Sequence, residues 1–105
     1  MSKNSPGVSP FARLEQVRDR RLVALTAYDY PSARLIDEAG VDFILVGDSL
    51  GMVFAGLPDT TGVTLDHMVY HTEVVSRGVE QAFLVSDLPY GTYDSPEMAV
   101  AHAQR

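Results

Sequence analysis

The sequence has no cysteine and no tryptophan. Without cysteine there can be no disulfide framework and no thiolate metal site, and the chain is compatible with a reducing compartment. No apolar run approaches the roughly 20 residues of a membrane-spanning helix, and the N-terminus lacks the apolar stretch of a secretory signal. The cytoplasm is therefore the expected location. Basic residues are also scarce: 8 Lys and Arg stand against 14 Asp and Glu, for a formal charge of −6. With no basic face available for phosphate backbones or anionic lipids, nucleic acid and membranes are disfavoured as partners, and small-molecule chemistry stays open.

What is present is an ordinary globular composition, 46% hydrophobic and 21% charged over 105 residues, enough for one small domain. Met1 to Pro10, rich in Ser, Pro and Gly, reads as a flexible leader, and residues 11–105 as one domain. Phe11 to Arg20 has Leu14 and Val17 on one side and reads as a short helix. Leu22 to Ala27 reads as a buried strand. A helix then opens at Tyr30-Pro31-Ser32, with proline in its first turn, and ends at Gly40. The pattern repeats with the strand Phe43 to Val46, a loop from Gly47 to Gly62, and a helix capped by Thr64 with Gly78 as its stop. A third unit has the strand Ala82 to Val85, the connection Pro89 to Asp94, and a helix starting at Ser95-Pro96-Glu97. Strands that are apolar on both faces and alternate with helices predict an α/β fold, a parallel sheet covered by helices.

Each strand is followed by an acid: Asp29, Asp48 and Asp87. Parallel strands bring these ends to one face, where ligands of open α/β sheets and (β/α) barrels sit. Converging carboxylates repel, and a hard cation such as Mg²⁺ relieves that repulsion. Plainer roles stand beside this one. Asp29 could cap the following helix, Asp87 could be a turn residue before Leu88-Pro89, and Asp48 could serve Ser49 and the next amides. His67 and His71 lie four apart on one helix, but no glutamate follows His67 and no third ligand is evident, so the zinc-protease pattern is absent. Met52, Met68 and Met98 read as packing residues.

The segment Val46-Gly47-Asp48-Ser49-Leu50-Gly51-Met52 resembles the signature of ketopantoate hydroxymethyltransferases. Leu25 to Ala33 upstream, Val63 to Thr72 downstream, and Val85-Ser86-Asp87-Leu88-Pro89-Tyr90 extend the resemblance in order from about Leu22 onward. Pro58 to Gly62 departs from it, standing where many members have a leucine and proline.

The resemblance implies a (β/α)₈ TIM barrel, of which this chain would hold the first three βα units. A whole barrel runs to about 250 residues, so the chain amounts to roughly two fifths of one. It also implies transfer of a one-carbon unit from 5,10-methylenetetrahydrofolate to 3-methyl-2-oxobutanoate, giving 2-dehydropantoate for pantothenate synthesis through a Mg²⁺-stabilised enolate. By resemblance Asp48 and Asp87 are the Mg²⁺ ligands and also contact the oxo acid, and Ser49 binds the substrate carboxylate. Gly47 and Gly51 fit a loop that turns tightly and approaches a ligand. Tyr28 and Asp29 match a family segment near the site, with no chemical step assigned.

The family's proton-accepting glutamate belongs to later units, so no catalytic base is expected here and the chain alone is expected to be inactive. Glu73, Glu80 and Glu97 do not fall at strand ends. The sheet face meant for a barrel interior should be exposed, and a full-length parent is expected to be a homo-oligomer. The competing readings are a non-catalytic fragment or binding module, and another Mg²⁺-dependent 2-oxo-acid enzyme of the phosphoenolpyruvate/pyruvate barrel type.

Overall fold

The computed structural model describes residues 19–105. The expected leader, Met1 to Pro10, and nearly all of the expected Phe11 to Arg20 helix lie outside them. The described elements are β1 (Ala24–Thr26), α1 (Tyr30–Glu38), β2 (Phe43–Val46), α2 (Leu50–Val53), α3 (Leu65–Ser76), β3 (Phe83–Ser86) and α4 (Pro96–Ala103). The strands form a parallel sheet in the order β1-β2-β3. In register, Leu25 faces Ile44 and Ile44 faces Leu84, so consecutive strands are neighbours and α1 and α3 lie on the crossovers between them. No helix among the described residues is long and apolar enough to cross a membrane.

The helices begin where their capping residues require. Asp29 Oδ1 accepts the amide of Ser32 at 2.8 Å, with Pro31 in the first turn of α1. Thr64 accepts the His67 amide at 3.2 Å, while His67 Nδ1 accepts the Thr64 amide at 3.1 Å. This is a capping box in which histidine does the work usual for Glu or Gln. Ser95 caps α4 by accepting the Met98 amide. Gly40, just past α1, has φ +93°, a left-handed conformation that costs glycine little.

The core lies between the sheet and α1 and α3. It is built from Ile44 and Val46 of β2, Ala33 of α1, Met68 and Val75 of α3, and Val79 and Ala82 of the connection into β3. Two expectations about the sheet need correction. The Leu22 to Ala27 segment is strand only over Ala24–Thr26, and apart from Ala27, which is buried in the core, it is exposed, because β1 is an edge strand with β2 as its one described neighbour. The third strand lies one residue later than the expected Ala82 to Val85. Phe43 and Phe83 pair edge to face at 5.7 Å and are only partly buried, as are Leu45 and Val85, so helices do not seal both faces among the described residues.

Two contacts lock α1 to the connection between α3 and β3. The Asp37 carboxylate, 6% exposed, accepts the amides of Glu80 (3.0 Å), Gln81 (3.1 Å) and Ala82 (2.8 Å). Gly78 supplies the other. It stands just past the C-cap Arg77 and so marks the stop of α3 as expected, though without a left-handed conformation. A Cβ on Gly78 would meet Arg34 N and Tyr30 O at 2.9 Å and Ala33 Cβ at 3.1 Å. The residue is glycine because the first turn of α1 passes directly over it. Backbone cannot give way as a flexible side chain can, so Gly78→Ala is expected to destabilise the fold by about 2–3 kcal/mol. An unchanged urea midpoint would contradict this reading.

Candidate functional site

The chain directions of the strands bring Tyr28, Asp48-Ser49 and Asp87 to one edge of the sheet. The ladder continues one step beyond the strands, since Ala27 N–H donates to Leu45 O at 3.2 Å and Asp87 N–H to Val46 O at 3.0 Å. Asp87 is therefore held in register against the end of β2. Its Oδ2 accepts the Asp48 amide at 3.0 Å. Gly47 lies beneath this contact: a Cβ there would stand 3.3 Å from Ser49 Oγ and 3.4 Å from Asp87 Oδ2, so any side chain would intrude between the two. The chain turns tightly at Gly47, whose carbonyl accepts the Leu50 amide at 3.1 Å, although neither Gly47 nor Gly51 has positive φ. Gly51 lies in α2 and is needed for packing, because a Cβ there would meet Val63 Cγ2 at 2.5 Å.

The Ser49 hydroxyl is 3.1 Å from the Tyr28 hydroxyl, which ties the end of β1 to the end of β2. The Tyr28 carbonyl in turn accepts from His71 Nδ1 at 2.7 Å. Since a carbonyl can only accept, His71 carries a proton on Nδ1. Its ring is buried, with Phe54 edge-on at 4.8 Å and Tyr70 at 5.3 Å. His67 is committed to the capping box, so the two histidines are not a metal pair, and their sequence spacing reflects a cap and a buried donor.

Asp29 is turned away from this group into its capping role, the plainer of its two expected readings. The Asp48 amide meets the Asp87 carboxylate, and Tyr28 is joined to Ser49 through their hydroxyls. Among the described residues no hydrogen-bond donor reaches the Asp48 carboxylate or Asp87 Oδ1, which leaves oxygens able to take a cation. The described residues contain no group of three His, Asp or Glu suited to a metal. Two carboxylates nonetheless fit Mg²⁺, which keeps several waters and is commonly held by one or two carboxylates together with its substrate.

The long Gly47 to Gly62 loop is not irregular throughout, since it contains α2. In its departing portion, Asp59 Oδ1 accepts the Thr61 hydroxyl at 2.6 Å and the Thr61 amide at 3.0 Å. The hydroxyl first, then the amide, draws the Asp59 carboxyl below the usual range. This closes a short side-chain turn away from the strand ends.

A parallel βα sheet with Asp48, Ser49 and Asp87 at its carboxyl edge defines an α/β fold, whose ligands in general sit at that edge. The chain belongs to the ketopantoate hydroxymethyltransferase family, whose model matches residues 9–105. It is 56% identical over 88 residues to 3-methyl-2-oxobutanoate hydroxymethyltransferase of Thermus thermophilus, covering 84% of this chain and 34% of that protein. The protein of the same name from Chloroflexus aggregans is 53% identical over 94 residues, 88% of this chain and 34% of its own. That from Acetivibrio thermocellus is 61% identical over 74 residues, 70% and 26% respectively. The chain thus spans about a third or less of the length of these curated relatives.

Proposed function

We propose that the chain carries the cation-binding and oxo-acid-binding part of a 3-methyl-2-oxobutanoate hydroxymethyltransferase. The observation that carries this reading is the Asp48 amide bonded to the Asp87 carboxylate, which ties Asp87 to the backbone of Asp48 at the ends of adjacent parallel strands. Asp48 and Asp87 would hold Mg²⁺ through their remaining oxygens. Bound there, the cation would supply positive charge against the carboxylate and keto oxygens of a 2-oxo acid. Ser49 would donate its hydroxyl to the substrate carboxylate. Gly47 keeps the space beside Asp87 clear of a side chain, so the acid can reach both groups.

The described residues place no glutamate at a strand end. Glu73 lies on α3, Glu80 before β3 and Glu97 on α4, all exposed. The proton acceptor of the transfer and the 5,10-methylenetetrahydrofolate contacts would come from the rest of a (β/α)₈ barrel, whose interior would cover the partly open face of Phe43 and Phe83. On this reading the partners are the two small molecules, without nucleic acid or membrane, in a cytoplasmic homo-oligomer.

The test is calorimetric titration of the chain with 3-methyl-2-oxobutanoate. Saturable binding is expected with Mg²⁺ and is expected to vanish with excess chelator. The control, 3-methylbutanoate, lacks the keto oxygen and should bind at least about tenfold more weakly, a difference of about 1.4 kcal/mol. Equal binding with and without Mg²⁺, or none in either case, would refute the reading.

A further inference from the structure

The geometry points to Tyr28 as a positioning residue that sets the orientation of the Ser49 hydroxyl for the oxo-acid carboxylate, an inference that rests on the function proposed above. A serine hydroxyl rotates freely about its Cβ–Oγ bond, and its side chain can occupy three staggered rotamers. Ser49 stands at the start of the short helix α2 and makes no side-chain cap bond to it. The local backbone therefore does not hold its hydroxyl. The Tyr28 hydroxyl, 3.1 Å away and partly buried, is the side-chain partner that does.

Tyr28 is itself restrained. It follows β1 and precedes the N-cap Asp29, whose carboxylate is bonded to Ser32. Its carbonyl is held at 2.7 Å by buried His71 of α3, and its ring packs against the core cluster. A fixed phenol next to an otherwise rotatable hydroxyl can do one chemically useful thing. By accepting or donating one hydrogen bond, it determines which direction is left for the Ser49 O–H and its lone pairs. If Tyr28 donates to Ser49 Oγ, the Ser49 proton is left for another acceptor; a Cβ on Gly47 would stand 3.3 Å from Ser49 Oγ and 3.4 Å from Asp87 Oδ2, so the two oxygens border one space, and a substrate carboxylate beside Asp87 would be such an acceptor. Tyr28 does not have to touch the substrate for this.

The role separates from metal binding, because neither Asp48 nor Asp87 is bonded to Tyr28. It also separates from stability, because the His71 bond is to the backbone of Tyr28 and survives loss of the phenol oxygen. Tyr28→Phe should therefore fold and bind Mg²⁺ as the unaltered chain does, while its Mg²⁺-dependent affinity for 3-methyl-2-oxobutanoate falls about five- to tenfold. Ser49→Ala should show a loss at least as large. In the double variant the Tyr28 change should add nothing, since it acts through a hydroxyl already removed.

Titrations of the unaltered chain, the two single variants and the double variant with Mg²⁺ alone, then with the oxo acid, decide the matter. Unaltered oxo-acid affinity in Tyr28→Phe, an equal loss of Mg²⁺ affinity, or additive losses in the double variant would each overturn the role of Tyr28 while leaving the proposed function standing. Failure of the unaltered chain to bind the oxo acid would remove the function and this inference with it.

Discussion

Asp87→Asn is expected to weaken Mg²⁺ binding at least about 100-fold and to abolish Mg²⁺-dependent binding of 3-methyl-2-oxobutanoate. The substitution is chosen because it isolates charge. The amide oxygen of asparagine can still accept the Asp48 amide, which Asp87 Oδ2 accepts at 3.0 Å, so the junction between the ends of β2 and β3 is retained. What is lost is half of the negative charge available from Asp48 and Asp87 to neutralise a divalent cation. Changing groups that merely support a ligand commonly costs ten- to a hundredfold in metal affinity, and losing a charged ligand should cost no less. Without metal the variant should melt within about 4 °C of the unaltered chain, since less than about 1 kcal/mol of folding energy is at stake. A Mg²⁺ titration by calorimetry, paired with thermal melts in chelator, checks both halves. Undiminished Mg²⁺ affinity in a folded variant would remove Asp87 from the site.

Asp37→Ala should have the largest effect on stability, a loss of about 3 kcal/mol, read as a lowered urea midpoint. The Asp37 carboxylate is 6% exposed and accepts three consecutive amides, those of Glu80, Gln81 and Ala82. Hydrogen bonds to an ionised acceptor are about twice as strong as neutral ones, and removing this acceptor breaks all three that tie α1 to the connection into β3. A domain of this size has a total stability of only about 5–15 kcal/mol, so the loss would approach the limit of folding. Asp37→Asn should lie between the two. Its oxygen can replace the one shared by Gln81 and Ala82, but its NH₂ would face the Glu80 amide, donor against donor. A midpoint unchanged in Asp37→Ala would mean that these amides find equivalent acceptors without the carboxylate.

A carboxylate clamp elsewhere serves a smaller purpose. Arg20 bonds Asp42 through both guanidinium nitrogens, at 2.6 and 3.0 Å, and the Val23 amide adds a third bond at 2.9 Å. The guanidinium bond first, then the amide, pulls the Asp42 carboxyl below its ordinary range. Asp42 thereby ties the chain entering β1 to the start of β2. Because Arg20 is 53% exposed, solvent screens the pair, and its part in the fold is minor beside that of Asp37.

Much of this architecture is legible in the sequence because its signals are local. Asp29-Tyr30-Pro31, Thr64 and Ser95-Pro96 announce helix starts by side-chain chemistry that acts within one turn. The run Phe43 to Val46 announces a central strand by composition. The helix Leu50–Val53 was not legible, since a single turn is too short to show a 3.6-residue repeat. Asp37 was legible only in retrospect. It stands four residues after buried Ala33 on the core side of α1, and an acid there requires donors that the sequence places some forty residues away. His71 is a similar case, following Met68 and preceding Val75 on the buried stripe of α3.

By itself, the sequence determined the alternation of strand and helix, the acids that follow each strand, and a resemblance specific enough to name a family. These follow from hydrophobic period, capping and motif, which need only near neighbours along the chain. Tertiary structure alone decided which acids lie against one another's backbone and which serve their own helix. Asp29 spends its carboxylate on its own helix, whereas Asp48 and Asp87, 39 residues apart, meet because β2 and β3 pair in parallel register and the ladder continues to Asp87. It likewise decided that Gly78 must be glycine and that Tyr28 reaches Ser49, because close approach between distant segments is a property of packing and leaves no mark in local sequence.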